Sequence, residues 1–144
     1  MKLVNVRKSD TVVVYDKVGM ISAPRAYWML KTFGVKNVLI LNGVFTKWQA
    51  EGREIETGDV ETAWRKARSS QPKEDDFHFS YNQERVRLFD DMVVLSNNPA
   101  RASTIVDSRF ENIFAQGNIP GSKNLAFTGL LNPDKTFKSP EELK

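Results

Sequence analysis

The chain has 144 residues, 40% of them apolar and 27% charged, a balance that suits one ordinary α/β domain or parts of two and argues against disorder. It has no cysteine, which excludes disulfides, cysteine-ligated metals and any chemistry on a thiolate of its own. The 21 basic and 18 acidic residues leave a net charge of +3 but are interspersed, with no basic block or aromatic–basic platform suited to nucleic acid. The longest apolar runs, such as Val38-Leu39-Ile40-Leu41, are far too short to span a bilayer. Residues 1–8 lack the apolar stretch and cleavage site of a secretory signal.

Asp10 to Asp16 contains the β-branched run Val12-Val13-Val14 without polar alternation, which predicts a strand buried on both faces in a parallel sheet. A turn over Lys17 to Ile21 follows. A helix is then predicted with Ser22 as N-cap, Pro24 in its first turn and Gly34 at its end. Ala23, Ala26, Tyr27, Leu30 and Phe33 recur at helical spacing and form its apolar face. Val38 to Leu41 reads as a second buried strand, and Asn42-Gly43 as a turn. Phe45 to Glu51 reads as a short helix docked through Phe45 and Trp48 and closed by Gly52. Alternating β and α elements of this kind predict a parallel sheet.

Between Arg53 and Phe79 the composition shifts to Gly58, Ser69, Ser70, Pro72 and the acidic Glu74-Asp75-Asp76, as in a linker with a short helical piece around Val60 to Arg68. Ser80-Tyr81-Asn82-Gln83 resembles a capping box that opens a helix running to about Ser96. Thr104 to Asp107 reads as a third buried strand and Phe110 to Ala115 as a short helix. The turn Gly117-Asn118-Ile119-Pro120-Gly121 leads to a brief strand, Lys123 to Ala126. Ser139-Pro140-Glu141-Glu142 has the cap, proline and glutamate of a helix start. Only a few residues follow it, too few for a helix to hold itself together.

Several of these segments are similar to the tandem rhodanese-type sulfurtransferases, the thiosulfate and 3-mercaptopyruvate enzymes. Val12 to Asp16, Gly19, Ser22 to Leu30, Phe33-Gly34, Asn37-Val38, Leu41-Asn42-Gly43 and Trp48 to Arg53 resemble the second half of the family's first domain. Ile105 to Arg109, Gly117 to Leu125 and Phe137 to Leu143 resemble the first half of its second domain. The resemblance implies an α/β fold, a rhodanese-like parallel sheet flanked by helices, here either incomplete or circularly permuted. Residues 1–54 are then the C-terminal half of an inactive rhodanese-like domain, 55–79 a linker and 80–144 the N-terminal half of a second. The family's usual second glycine after Gly43 is Val44 in this chain, and its usual turn histidine is Asn118.

In that family a thiolate at the end of the first of these strands accepts sulfur. Backbone N–H groups of the following loop, together with a helix N-terminus, stabilise the anion. The position matching that cysteine is Asp16, so the resemblance implies a vestigial loop of Asp16, Lys17, Val18, Gly19, Met20, Ile21 and Ser22. A carboxylate there gains roughly 0.3–1 kcal/mol from the helix dipole but cannot carry a persulfide. Asp107, Arg109, Gly117, Pro120 and Gly121 are the matching family-motif residues of the second half. Asp107 and Arg109 read better as a structural ion pair than as substrate ligands.

Other chemistries fit poorly. An aspartyl-phosphate nucleophile needs a second carboxylate two residues on and a metal, and Asp16-Lys17-Val18 offers neither. The only histidine, His78, makes neither a triad with Ser22 nor a metal site, and no cofactor is expected. Gly117 to Gly121 lacks the lysine and glycine spacing of a phosphate loop, while Tyr27, Trp28 and Trp48 read as core or interface anchors. The expectation is a chain inactive by itself that acts through protein partners or neighbouring subunits. Its rival is a piece of an active sulfurtransferase whose cysteine lies outside these residues. Mitochondrial residence is implied only by analogy with the family.

Overall fold

The computed structural model describes residues 9–69, 79–98 and 103–144. His78, the Glu74-Asp75-Asp76 cluster and residues 1–8 lie outside the described residues. The chain divides between Asn82 and Gln83 into two compact units.

In the first unit, β1 (Val12–Val14) and β2 (Val38–Ile40) are parallel, with Val12 opposite Val38, Val13 opposite Leu39 and Val14 opposite Ile40. They are joined by α1 (Ser22–Thr32), which packs on both strands. The buried apolar residues Met20, Ala23, Val35, Val38 and Val44 gather around this unit. α2 (Val44–Ala50) and α3 (Val60–Ser69) follow.

Both α1 and α2 end as their glycines predict. Gly34 has φ +89°, its N–H reaches Lys31 O (3.2 Å), and the Val35 N–H reaches Leu30 O (2.9 Å). Gly52 repeats the pattern at φ +66°, with Gly52 N–H to Gln49 O and Arg53 N–H to Trp48 O. These paired bonds satisfy carbonyls that a helix end otherwise leaves bare, and they need a left-handed residue. Val44, where the family usually has glycine, also takes a positive φ of 49° and is fully buried. Burial of its side chain offsets the cost of a left-handed β-branched residue.

The strands differ from expectation in their faces. Val13 (52% exposed), Tyr15 (59%) and Leu39 (56%) are open, so the described residues cover the sheet on one side only. The apolar run reports a strand suited to burial on both faces, and in this unit only α1 packs closely on the strands.

Ser80 to Gln83 does not open a helix. The Ser80 and Asn82 N–H groups instead meet Phe33 O (3.2 Å) and Thr32 O (2.8 Å), and Tyr81 and Phe79 pack on the Phe33 ring. Carbonyls left over at the end of α1 therefore take the donors that a capping box would use. Residues 60–69 of the expected linker are helical, and Asp59 caps them by accepting the Glu61 N–H (2.9 Å) and the Thr62 hydroxyl (2.6 Å).

The second unit holds a 3₁₀ turn at Gln83–Arg85, α4 (Phe89–Asn97), β3 (Val106–Asp107), α5 (Glu111–Phe114), β4 (Lys123–Asn124) and a 3₁₀ turn at Phe127–Leu130. α4 starts later than predicted, with the Leu88 N–H on Asp91 Oδ2 (3.1 Å). β3 pairs with β4 in parallel, Val106 opposite Lys123 and Asp107 opposite Asn124. Here too the expected two-sided burial is not realised, since Val106 is 52% exposed. Ser139 and Glu142 exchange the two bonds of a capping box, and a turn rather than a helix follows.

β1 and β3 belong to separate two-stranded sheets, so the strand pairing required by a circularly permuted domain is not made among the described residues. Each strand is paired instead with the partner delivered by its own short crossover, the connection with the smallest loop-closure cost.

Thr32, 1% exposed, buries a hydroxyl that has no hydrogen-bond partner among the described residues. Thr32→Val keeps the shape and removes the orphaned group. It is expected to stabilise the chain by about 1 kcal/mol, read as a higher urea midpoint at unchanged slope. A lowered midpoint would show that the hydroxyl is satisfied in solution.

Candidate functional site

At the end of β1 the chain turns into α1 through Asp16 to Ile21. Gly19 and Met20 take left-handed conformations, with φ of 94° and 66°. That geometry, unusual for methionine, turns successive N–H groups toward one point. The Asp16 carboxylate fills it. Oδ1 accepts from Gly19 N (3.0 Å) and Met20 N (3.0 Å), and Oδ2 accepts from Ile21 N (2.8 Å), Ser22 N (2.9 Å) and Ala23 N (2.9 Å). Asp16 is only 8% exposed.

Two sequence expectations change at this point. Ser22 is the first helical residue and not the cap, Ile21 stands at the cap position with no side-chain bond, and the capping oxygens come from Asp16. Ala23, not counted in the loop, is one of its donors. Lys17 and Val18 are exposed and donate nothing to the carboxylate, although Lys17 O accepts the Thr46 hydroxyl at 3.0 Å. Pro24 sits in the first turn of α1, where its missing N–H leaves no gap.

Burial raises the Asp16 pKa, but the N–H groups of Ala23, Met20, Ser22 and Ile21 outweigh it and hold the carboxyl below its ordinary value of 3.8. It is therefore an anion throughout the neutral range. An oxygen pair already holding five donors offers no lone pair aimed at an incoming electrophile, and it competes directly with any anionic substrate for the loop.

Asp107 and Arg109 pair at the end of β3. Arg109 Nε bonds both carboxylate oxygens (3.0 Å each), Nη2 bonds Oδ2 (2.6 Å), and Nη2 also reaches Gly117 O (2.8 Å). The Arg109 side-chain bond holds the Asp107 carboxyl below its ordinary pKa, and the same bond raises that of the guanidinium. Asn124 Nδ2 bonds Asp107 O (3.1 Å) and Arg109 O (2.9 Å). Asn118 bridges Phe114 O (3.3 Å) and the Ser122 hydroxyl (3.2 Å), and the turn closes through Ser122 N–H on Ile119 O (3.0 Å). Gly121, with φ 72°, supplies the turn's left-handed residue beside Pro120. This cluster fastens the Gly117–Gly121 turn to β3 and spends its polar groups internally.

Among the aromatic residues, Trp48 donates Nε1–H to Glu54 O (2.8 Å) and lies under the Arg53 guanidinium, which identifies it as an anchor. Trp28 is 43% exposed. A cavity of about 890 Å³ on the open side of β1, lined by Tyr15, Phe45, Trp48 and Ile55 among others, escaped sequence reasoning. Only Phe45 and Trp48 had signalled docking. No group of His, Asp or Glu among the described residues is arranged to hold a metal ion, and no helix there is long and apolar enough to cross a membrane.

Residues 1–51 match the Rhodanese-like domain family. Over 94% of its length the chain is 32% identical to a probable 3-mercaptopyruvate sulfurtransferase of Schizosaccharomyces pombe, covering 47% of that protein. Over 99% of its length it is 31% identical to the 3-mercaptopyruvate sulfurtransferase of Escherichia coli, covering 50%. The thiosulfate sulfurtransferase of Bos taurus is 32% identical over 94% of the chain, with 47% of that protein covered. The chain thus spans about half the length of the curated relatives it matches. Among solved structures, SseA of Escherichia coli, a 3-mercaptopyruvate sulfotransferase with the rhodanese fold, superposes with a TM-score of 0.78 at 32% identity, over 96% of this chain and 51% of that one.

Asp16→Asn keeps the size but turns an N–H₂ group into the donor-lined loop. It is expected to lower stability by about 2–4 kcal/mol at neutral pH. Because folding depresses the Asp16 pKa, the carboxylate's contribution is complete above the unfolded-state value and is lost as pH falls through the folded one. The gap between the two proteins in urea unfolding should therefore be widest above about pH 5 and narrow on acidification. A gap that widens in acid would contradict the assignment.

Proposed function

The chain belongs to the rhodanese-like family, and we propose that it is a non-catalytic member that works through assembly with other protein. The observation that carries this reading is the occupancy of the loop: at the position of the family's sulfur-accepting thiolate stands a carboxylate that takes all five inward N–H groups. Sulfur transfer through an enzyme thiolate stores the sulfur in an S–S bond, which a carboxylate, having no sulfur atom, cannot form. No other residue of the chain can replace it, because cysteine is absent throughout.

Assembly is supported by what the described residues leave uncovered. Each unit holds a two-stranded parallel sheet with an exposed apolar position, Val13 and Leu39 in the first and Val106 in the second. Parallel sheets are stable when both faces are covered, so protein partners or neighbouring subunits are the natural cover. Nucleic acid is a poor candidate for that role, since the exposed faces are apolar rather than basic.

A second reading follows from length. Because the relatives are about twice as long, these residues fit equally a part of an active thiosulfate or 3-mercaptopyruvate sulfurtransferase whose cysteine lies elsewhere. Recovering the full transcript separates the two, since a downstream cysteine loop favours the enzyme.

The 144-residue chain, assayed with thiosulfate and cyanide or with 3-mercaptopyruvate and a thiol acceptor, should show no thiocyanate or pyruvate release above background. Measurable turnover would remove the non-catalytic reading. Asp16→Cys should give a thiol that titrates below the ordinary value of about 8.5, measured from the pH dependence of its alkylation rate. An unshifted thiol would mean that the loop does not serve as an anion cradle.

A further inference from the structure

The cavity beside β1 is a candidate docking groove. Its floor is the open side of the sheet, with Val13, Tyr15, Leu41 and Phe45, and the segment running into α3 forms its wall. The Tyr15 and Phe45 rings stack with centroids 6.3 Å apart and make a flat apolar platform. Tyr15 and Ile55 remain 59% and 40% exposed, so the platform is not closed by the side chains of the described residues.

The rim is acidic. Glu54 and Glu56 line the cavity, and neither carboxylate makes an ion pair among the described residues. Asp59 also lines it, with its oxygens directed to Glu61 N–H and Thr62 as the cap of α3. The nearby Arg53 is held by Glu51 at 2.7 Å and by the Trp48 ring, so it does not neutralise the glutamates.

We propose that this groove receives an amphipathic helix of a partner protein, apolar toward the sheet and carrying lysine or arginine along the edge that meets Glu54 and Glu56. The proposal rests on the assembly reading above and names the chemistry of the partner. A helix fits because a parallel sheet is ordinarily covered by helices on both faces, and α1 covers only one. A free strand would satisfy the backbone edge but leave Val13 and Tyr15 in water. The unpaired carboxylates select the sign of the helix's charged flank. The relatives it matches are about twice as long as this chain.

Two synthetic helical peptides of about 15 residues, or four turns, test the proposal against the intact chain. Both carry leucine at helical spacing, one with lysine and the other with glutamate on the flank. Fluorescence anisotropy should show the lysine peptide binding about tenfold more tightly at low salt, with the advantage shrinking as salt rises. The double change Glu54→Lys and Glu56→Lys should reverse the preference, and Val13→Asp should abolish binding of both peptides. These positions are surface-exposed, so folding, checked by circular dichroism, should persist. Equal affinity for the two peptides, binding indifferent to Val13→Asp, or no binding at all would overturn the proposal. So would concentration-dependent dimerisation by sedimentation that Val13→Asp abolishes, since the occupant would then be a second copy. None of these outcomes depends on sulfur transfer, so failure here leaves the non-catalytic reading to its own assay.

Discussion

The arrangement of the first unit turns on one carboxylate accepting hydrogen bonds from the loop that follows it. The side chain of Asp16 holds the N–H groups of residues 19 to 23, and its backbone oxygen accepts the Phe45 N–H at 2.9 Å. One residue thereby links the end of β1, the beginning of α1 and the first turn of α2. The left-handed Gly19 and Met20 are held in place by the same bonds. Helix starts usually draw their cap from the residue at the boundary; here the cap reaches forward from the preceding strand. A charged acceptor strengthens each bond and offsets the cost of burying the charge.

Much of this was readable in the sequence, and the failures share a cause. The run Val12-Val13-Val14, Pro24 in the first turn of α1, and Gly34 and Gly52 past the helix ends each act over a few residues, and each element formed near its expected place. Ser22 failed as a cap because Asp16, six positions earlier, reaches the same N–H groups through the turn. The Ser80 capping box failed because the carbonyls of Thr32 and Phe33 are brought to it by the fold. Sequence spacing measures local competition and is blind to a competitor delivered from afar. The exposure of Val13 and Leu39 was illegible for another reason. An apolar strand records what it is suited to pack against, and a chain's own sequence does not reveal whether that neighbour is present.

The family resemblance and the residue chemistry constrain different things. The resemblance accounts for the parallel strand–loop–helix arrangement of the first unit and for the Asp107–Arg109 motif at the end of β3. The chemistry decides what those arrangements can do: the first loop is occupied by its own anion, and the second motif binds its own turn through Gly117 O. Both are sites in shape whose donors and acceptors are already spoken for. What stays open is apolar and lies on the sheets, which directs attention from catalysis to recognition.

The filled loop also constrains the routes by which such a site could change. Moving from an aspartate codon to a cysteine codon takes a pair of base changes, and the direct paths pass through glycine or tyrosine. Glycine would leave five converging N–H groups without an acceptor, and tyrosine would drive a ring into a space sized for a carboxylate. Both intermediates lose stability before a thiol could take the position. Asp16 is therefore hard to exchange for a thiol one base at a time, because each single step away from it strands the donors that its carboxylate now holds.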